Sequence, residues 1–150
     1  MAFLDNPDRL AVLGRGFSMA SVQSSSLILK EASKIYSFGM SSAQFRHGPR
    51  ELMQPGFCAL IFAGSPTTRH LNKQLAIELS NHSSKVVFIT PRSRASGKAG
   101  IITIEIPSVS ERLLPIVEIA PVQLLTIPLA EAMGFRAGVF SHSGKITLTE

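Results

Sequence analysis

Two residues of this chain have the types needed to move a proton beside a carbonyl: Glu31, which follows Lys30 in an apolar segment, and His47, set between Arg46 and Gly48-Pro49. Leu27, Ile28 and Ile35 stand three or four positions from Glu31, the spacing that shares one side of a helix, so a partly buried carboxylate is expected there. Low polarity raises a carboxyl pKa toward neutrality, which suits a base that removes a proton next to a carbonyl. The plainer alternative for Glu31 is a helix-surface salt bridge with Lys34 or another cation. His47 lies where the backbone bends; a neutral imidazole there could pass protons to and from a sugar ring oxygen, or it could be a solvated loop histidine.

Two turns are candidates for holding an anion. The apolar run Leu10 to Leu13 closes on Gly14-Arg15-Gly16, a pattern of strand, glycine turn and helix. A dinucleotide fingerprint needs a further glycine at position 19, which is Met, so NAD is not expected. The turn Gly14, Arg15, Gly16 can still bring backbone N–H groups close to an anion at the start of the next helix. Gly64-Ser65-Pro66-Thr67-Thr68 offers the hydroxyls of Ser65 and Thr67 in a similar place, as an anion cradle or as an ordinary helix cap. Ser18, Ser21, Ser24, Ser25 and Ser26 most simply permit close packing.

The elements that must position these groups alternate. Ser18 to Tyr36 has helical spacing, and a short helix is expected over Ala43 to Met53, interrupted near Gly48-Pro49. Phe57 to Ala63 reads as a buried strand. Leu71, Leu75 and Leu79 mark a helix that runs to Asn81. Val86 to Thr90 and Ile101 to Ile106 read as two more strands, separated by a polar loop from Pro91 to Gly100. Leu113 to Met133 is apolar and carries Pro115, Pro121 and Pro128, which predicts a kinked or divided helix. Phe135 to Glu150 forms a tail containing Lys145. Strand and helix in alternation predict a parallel sheet covered on both faces, with ligands at the carboxyl ends of the strands.

Bulk properties narrow the function. With 150 residues, 45% of them hydrophobic, the chain suffices for one domain. Its apolar strand-like runs are far shorter than the roughly 20 residues of a membrane span, and the N-terminus lacks the pattern of a secretory signal, so a cytoplasmic protein without membrane contact is expected. The net charge of +5 suits an anionic partner. Scattered basic residues, a single tyrosine and no tryptophan argue against nucleic acid. One cysteine, Cys58, excludes an intramolecular disulfide, and the histidine spacing predicts no metal site.

Leu13-Gly14-Arg15-Gly16, Leu29-Lys30-Glu31, Arg46-His47-Gly48-Pro49, Pro115-Ile116 with Pro121-Val122-Gln123-Leu124-Leu125, and Lys145-Ile146-Thr147-Leu148-Thr149-Glu150 together resemble the sugar isomerase (SIS) domain. The chain is similar to the second, C-terminal SIS domain in the isomerase part of glucosamine-6-phosphate synthase and in related sugar-phosphate deaminases. The resemblance implies a three-layer α/β/α fold with a mostly parallel, flavodoxin-like sheet, one SIS domain over residues 1–150, and the C-terminal half of a two-SIS-domain enzyme. It implies an aldose-ketose isomerase or aminotransferase-like enzyme acting on fructose-6-phosphate or glucosamine-6-phosphate by proton transfer between C1 and C2, without a cofactor. In that chemistry Glu31 shuttles the proton, His47 helps open the ring, and Lys145 meets the carbonyl and can form a Schiff base. The active site would be composite, with the histidine supplied by a neighbouring subunit, so a homodimer or a second SIS domain is the implied partner beside the phosphorylated sugar. Ile28 stands where the synthase pattern has a second lysine, Ser141-His142-Ser143 replaces the usual stretch before Lys145, and the phosphate loop SxSGxT of the first SIS domain is absent. The alternatives are a SIS-type deaminase and a non-catalytic module for phosphosugar sensing or dimerisation.

Overall fold

The apolar runs form the middle of a five-stranded sheet in the computed structural model, which describes residues 9–91 and 99–140. In chain order the elements are β1 (Leu10–Gly14), α1 (Ser18–Ser33), β2 (Ser37–Ser41), α2 (Ser42–Phe45), β3 (Cys58–Phe62), α3 (Arg69–Asn81), β4 (Lys85–Pro91), β5 (Ile101–Ile106) and α4 (Leu114–Ala132), with 3-10 turns at Pro49–Leu52 and Glu111–Leu113. All pairings are parallel and the order is β2-β1-β3-β4-β5. β1 and β3 are buried at every position, as strands covered on both faces should be.

Alternate residues of these strands feed two cores. On one face Leu10, Val12, Leu60, Phe62, Val87 and Ile89 pack with Val22 and Leu29 of α1 and Val122 and Leu129 of α4. On the other, Ala11, Leu13, Ala59, Ile61 and Phe88 pack with Phe45 of α2 and Leu75, Ala76 and Leu79 of α3. The result is three layers, with α1 and α4 below the sheet and α2 and α3 above it.

Three expectations are corrected. β2 occupies a segment read as the tail of a helix and a connection. Gly39 lets this edge strand lie against α1, because a Cβ there would stand 3.0 Å from the Val22 carbonyl oxygen. α1 therefore ends at Ser33, not Tyr36, with Lys34 in the left-handed conformation (φ 58°) and its N–H bonded to the Leu29 carbonyl. The helix foreseen over Ala43 to Met53 is reduced to α2 and a 3-10 turn, separated at Gly48, whose φ is 141°.

The prolines do not divide the last helix. α4 is one element with Pro121 and Pro128 inside it, and Pro115 in its first turn, where no N–H is needed. With its preceding 3-10 turn it spans Glu111–Ala132, long and apolar enough by length and composition to cross a membrane, contrary to the reading from the shorter runs. In the fold it lies across α1 and the sheet.

Candidate functional site

β1 and β3 are neighbours, yet the chain leaves β1 for α1 on one face and β3 for α3 on the other. Such a switch point opens a crevice at the strand carboxyl ends. Its walls are the two turns singled out by sequence. Gly14 is buried, Arg15 half-buried and Gly16 exposed with φ 57°. Opposite them, Gly64 takes φ 74°, Ser65 is half-buried and Thr67 exposed. The walls touch: the Arg15 Nε–H donates to Asn72 Oδ1 at 3.2 Å, and a Cβ on Gly64 would lie 3.7 Å from Ser18 Oγ.

Asn72 is the buried residue that joins the two turns. Its amide donates to the carbonyls of Phe62 and Ala63 at 3.0 and 3.1 Å, satisfying backbone that has just left β3, while its oxygen holds Arg15. Burial, and next to it the nearby Arg46 guanidinium, pull the Arg15 pKa below its ordinary value. The two guanidiniums are close enough to repel, and Arg15 has no carboxylate partner among the described residues. Arg46 is also held by a bidentate pair with Glu78 of α3, at 2.8 and 3.0 Å. The backbone N–H groups of Ser18, Met19 and Ala20 are taken by i−3 carbonyls, so the Arg15 head and the Ser65–Thr67 hydroxyl pair, 2.7 Å apart, are the groups suited to an incoming anion.

Behind Ser18 lies a residue that sequence reasoning missed. Glu118 of α4 is fully buried and accepts from Ser18 Oγ at 2.8 Å and Ser21 Oγ at 2.7 Å. Desolvation raises its carboxyl above the ordinary range, and the two hydroxyl donors pull it part of the way back. Its signal was available: Glu118 is the lone charge in the apolar stretch from Leu113 to Ala130. The serines read as packing residues include its two donors.

Glu31 is elsewhere. It is exposed, contrary to the expectation of partial burial, because Leu27 also faces outward and Ile35 lies beyond the end of the helix. The foreseen partner does not pair with its carboxylate either: Lys34 Nζ donates to the Glu31 main-chain oxygen at 2.6 Å and lies 5.5 Å from the centre of the Phe140 ring. Glu31 is in the last turn of α1, roughly 20 Å along the helix from Ser18 by helical rise, so it and the crevice sit at opposite ends of one helix.

His47 is exposed just after α2, in the layer on the other face of the sheet from α1. The fold thus keeps Glu31 and His47 apart within one chain. A groove of about 600 Å³ lies along β2 beside the His47 loop, lined by Tyr36, Phe38, Met40, Pro49 and Leu52 with Arg9, and does not open at the crevice. Ile28, at the position of the family lysine, packs against the α1–α4 core. Lys145 lies outside the described residues.

The profile of the SIS domain family matches residues 3–132. The chain belongs to the SIS family. This SIS domain is 30% identical over 124 residues to glutamine–fructose-6-phosphate aminotransferase (isomerizing) of Thermococcus kodakarensis, covering 81% of this chain and 20% of that protein. It therefore spans about a fifth of the length of the curated relatives it matches. Its fold superposes on the C-terminal domain of glucosamine-fructose-6-phosphate aminotransferase from Francisella tularensis with a TM-score of 0.81 at 20% identity, covering 90% of this chain and 38% of the other. The glucosamine-6-phosphate deaminase of Thermotoga maritima gives 0.70 at 22% identity, over 92% and 40% of the two chains. At these identities the superpositions speak for the α/β fold of the SIS domain.

Proposed function

We propose that this SIS domain binds a phosphorylated sugar as part of a cytoplasmic enzyme that isomerises fructose-6-phosphate or glucosamine-6-phosphate by moving a proton between C1 and C2. The observation that carries the reading is the end of α1, where Glu31 is free in solvent and Lys34 holds Phe140, five residues before Lys145 in sequence. Five residues of extended chain span at most about 18 Å, a reach that would let Lys145 and Glu31 of one chain meet the same carbonyl. Lys145 would condense with that carbonyl, and Glu31 would take the proton from the adjacent carbon and return it to the other. His47 would come from a neighbouring chain or SIS domain, since it lies on the other side of the sheet. The crevice of Gly14, Arg15, Gly16, Ser65 and Thr67 offers charge and hydroxyls to a phosphate. A solvent-exposed Glu31 suits this assembly: the apolar cover that a base requires would come from the partner.

A deaminase of the same fold would share the enolisation step. The non-catalytic alternative draws on Ile28, whose packing leaves no cation three residues before Glu31. The test is proton exchange into both sugar phosphates, followed by NMR in deuterated water. Exchange that vanishes in Glu31→Gln establishes an enolising enzyme. A folded, sugar-binding protein that shows no exchange is a sensing or supporting module.

A further inference from the structure

We infer that Glu78 of α3 is a positioning residue for His47: by gripping the Arg46 guanidinium it fixes the short helix from which the imidazole leaves and sets its place relative to the crevice. The inference rests on the proton-transfer role proposed for His47 above. α2 is four residues long, a single turn that does not hold its shape alone. Its inner side is anchored. Ser42 Oγ donates to the Gly14 carbonyl at 3.1 Å, and the fully buried Phe45 stacks on Phe57 with ring centres 6.0 Å apart. Beyond Phe45 the chain turns toward solvent, and Gly48, next after His47, takes φ 141°, a conformation that residues with a Cβ rarely adopt. Arg46 is therefore the last side chain able to fix the loop before His47.

The pair has the geometry for that task. Arg46 Nη1 and Nη2 donate to the two separate oxygens of Glu78, a fork-to-fork contact that fixes direction as well as distance, where a single point contact would let the loop swivel. It is the one ion pair among the described residues. The Arg46 and His47 N–H groups in turn donate to the carbonyls of Ala43 and Gln44 at 3.2 and 2.9 Å, so a guanidinium held still also holds the peptide that carries His47.

α3 grips the crevice as well. Asn72, six residues before Glu78 on the same helix, accepts from Arg15, while Glu78 accepts from Arg46. Mutual repulsion drives the two guanidiniums apart, and α3 holds both in place. Without the Glu78 carboxylate, Arg46 swings away from Arg15 and takes His47 with it. One helix thereby sets the spacing between the turn of Arg15 and the imidazole. Global stability gains little from a half-exposed ion pair, so what this pair contributes is local geometry.

Water-exchange NMR on the full chain measures the His47 amide in the wild type, in Glu78→Ala, and in the swapped pair Arg46→Glu with Glu78→Arg. Proton exchange into fructose-6-phosphate and glucosamine-6-phosphate gives kcat and KM for the same three proteins. The expected result is a His47 amide that exchanges at least tenfold faster in Glu78→Ala, with the Leu75 and Leu79 amides of α3 unchanged, and a return toward the wild-type rate in the swap. kcat should fall at least tenfold in Glu78→Ala with KM within twofold, and recover in the swap. A His47 amide that exchanges at the wild-type rate would overturn the inference, and so would a faster amide with kcat intact or a loss carried by KM alone. A wild type that exchanges protons with neither sugar phosphate sinks the function proposed above, and the amide rates then decide by themselves whether Glu78 holds the loop.

Discussion

Ser18, in the first turn of α1, donates a 2.8 Å hydrogen bond to Glu118 of α4, joining residues a hundred positions apart inside the core. The bond ties the helix that starts at the crevice to the helix that ends the described domain. Its location matters because Ser18 follows directly on the turn that holds Arg15. A carboxylate at the start of a helix also meets the positive end of the helix dipole, which offsets part of the cost of burying it.

Glu118 should give the protein a signature in pH. Its carboxyl is raised in the folded state above the ordinary 4.5, so the folded protein binds more protons than the unfolded chain in the interval above that value. Stability contributed by the protonated form is present below the unfolded pKa and declines as pH rises through the folded pKa. Chemical denaturation measured across this interval should show that decline in the wild type and its absence in Glu118→Gln, which cannot titrate. Parallel curves for the two proteins would show that Glu118 keeps an ordinary pKa.

Loss of the donors should be costly. Ser18→Ala leaves the buried carboxylate with one hydroxyl partner, and a hydrogen bond to a charged group is worth about 1.5–3 kcal/mol. Ser18→Ala with Ser21→Ala should destabilise by more than the sum of the single changes, because no side-chain donor then remains to the charge. Thermal denaturation of the three variants measures the coupling, and simple additivity would mean that other groups or water solvate Glu118.

The sheet was legible where its chemistry was plain. β1, β3, β4 and β5 are runs of Val, Ile, Leu and Phe bounded by turn residues, and they stand within one or two residues of their expected positions. β2 escaped because Ser37-Phe38-Gly39-Met40-Ser41 has no β-branched residue, and its glycine serves a close approach to α1 that spacing cannot reveal. The two turns at the switch point were visible as glycine and hydroxyl clusters. Asn72, which joins them across the switch point, was not, since a polar residue inside a helical repeat looks solvated until the fold turns it inward. Glu31 was misjudged for the opposite reason: helical periodicity was extended past Ser33, counting Ile35 as a neighbour after the helix had stopped.

Mixing experiments can test whether Glu31 and His47 act from different chains. Glu31→Gln and His47→Ala should each abolish proton exchange alone. Combined in equal amounts and allowed to reassociate, they should recover about a quarter of wild-type activity, because half of the two-fold dimers are mixed and each mixed dimer regains one intact site of two. No recovery on mixing would place both groups in one chain, against their separation across the sheet.

Cys58 is buried at the start of β3, with its thiol pushed up by burial and drawn back in part by Lys85. The thiolate is the reactive form, so a thiol-disulfide reagent at neutral pH should modify the folded protein far more slowly than the denatured one. Rapid labelling under native conditions would reveal opening of β3.

Opposite placement of Glu31 and His47 has a consequence for how such a protein is controlled. If, as proposed, the two groups meet only between chains, output per molecule would depend on abundance: at low concentration the catalyst would dissolve into intact but idle subunits, with no effector bound and nothing unfolded. Synthesis of a little more protein would then raise flux more than proportionally, which makes expression level itself a steep control on the pathway it serves.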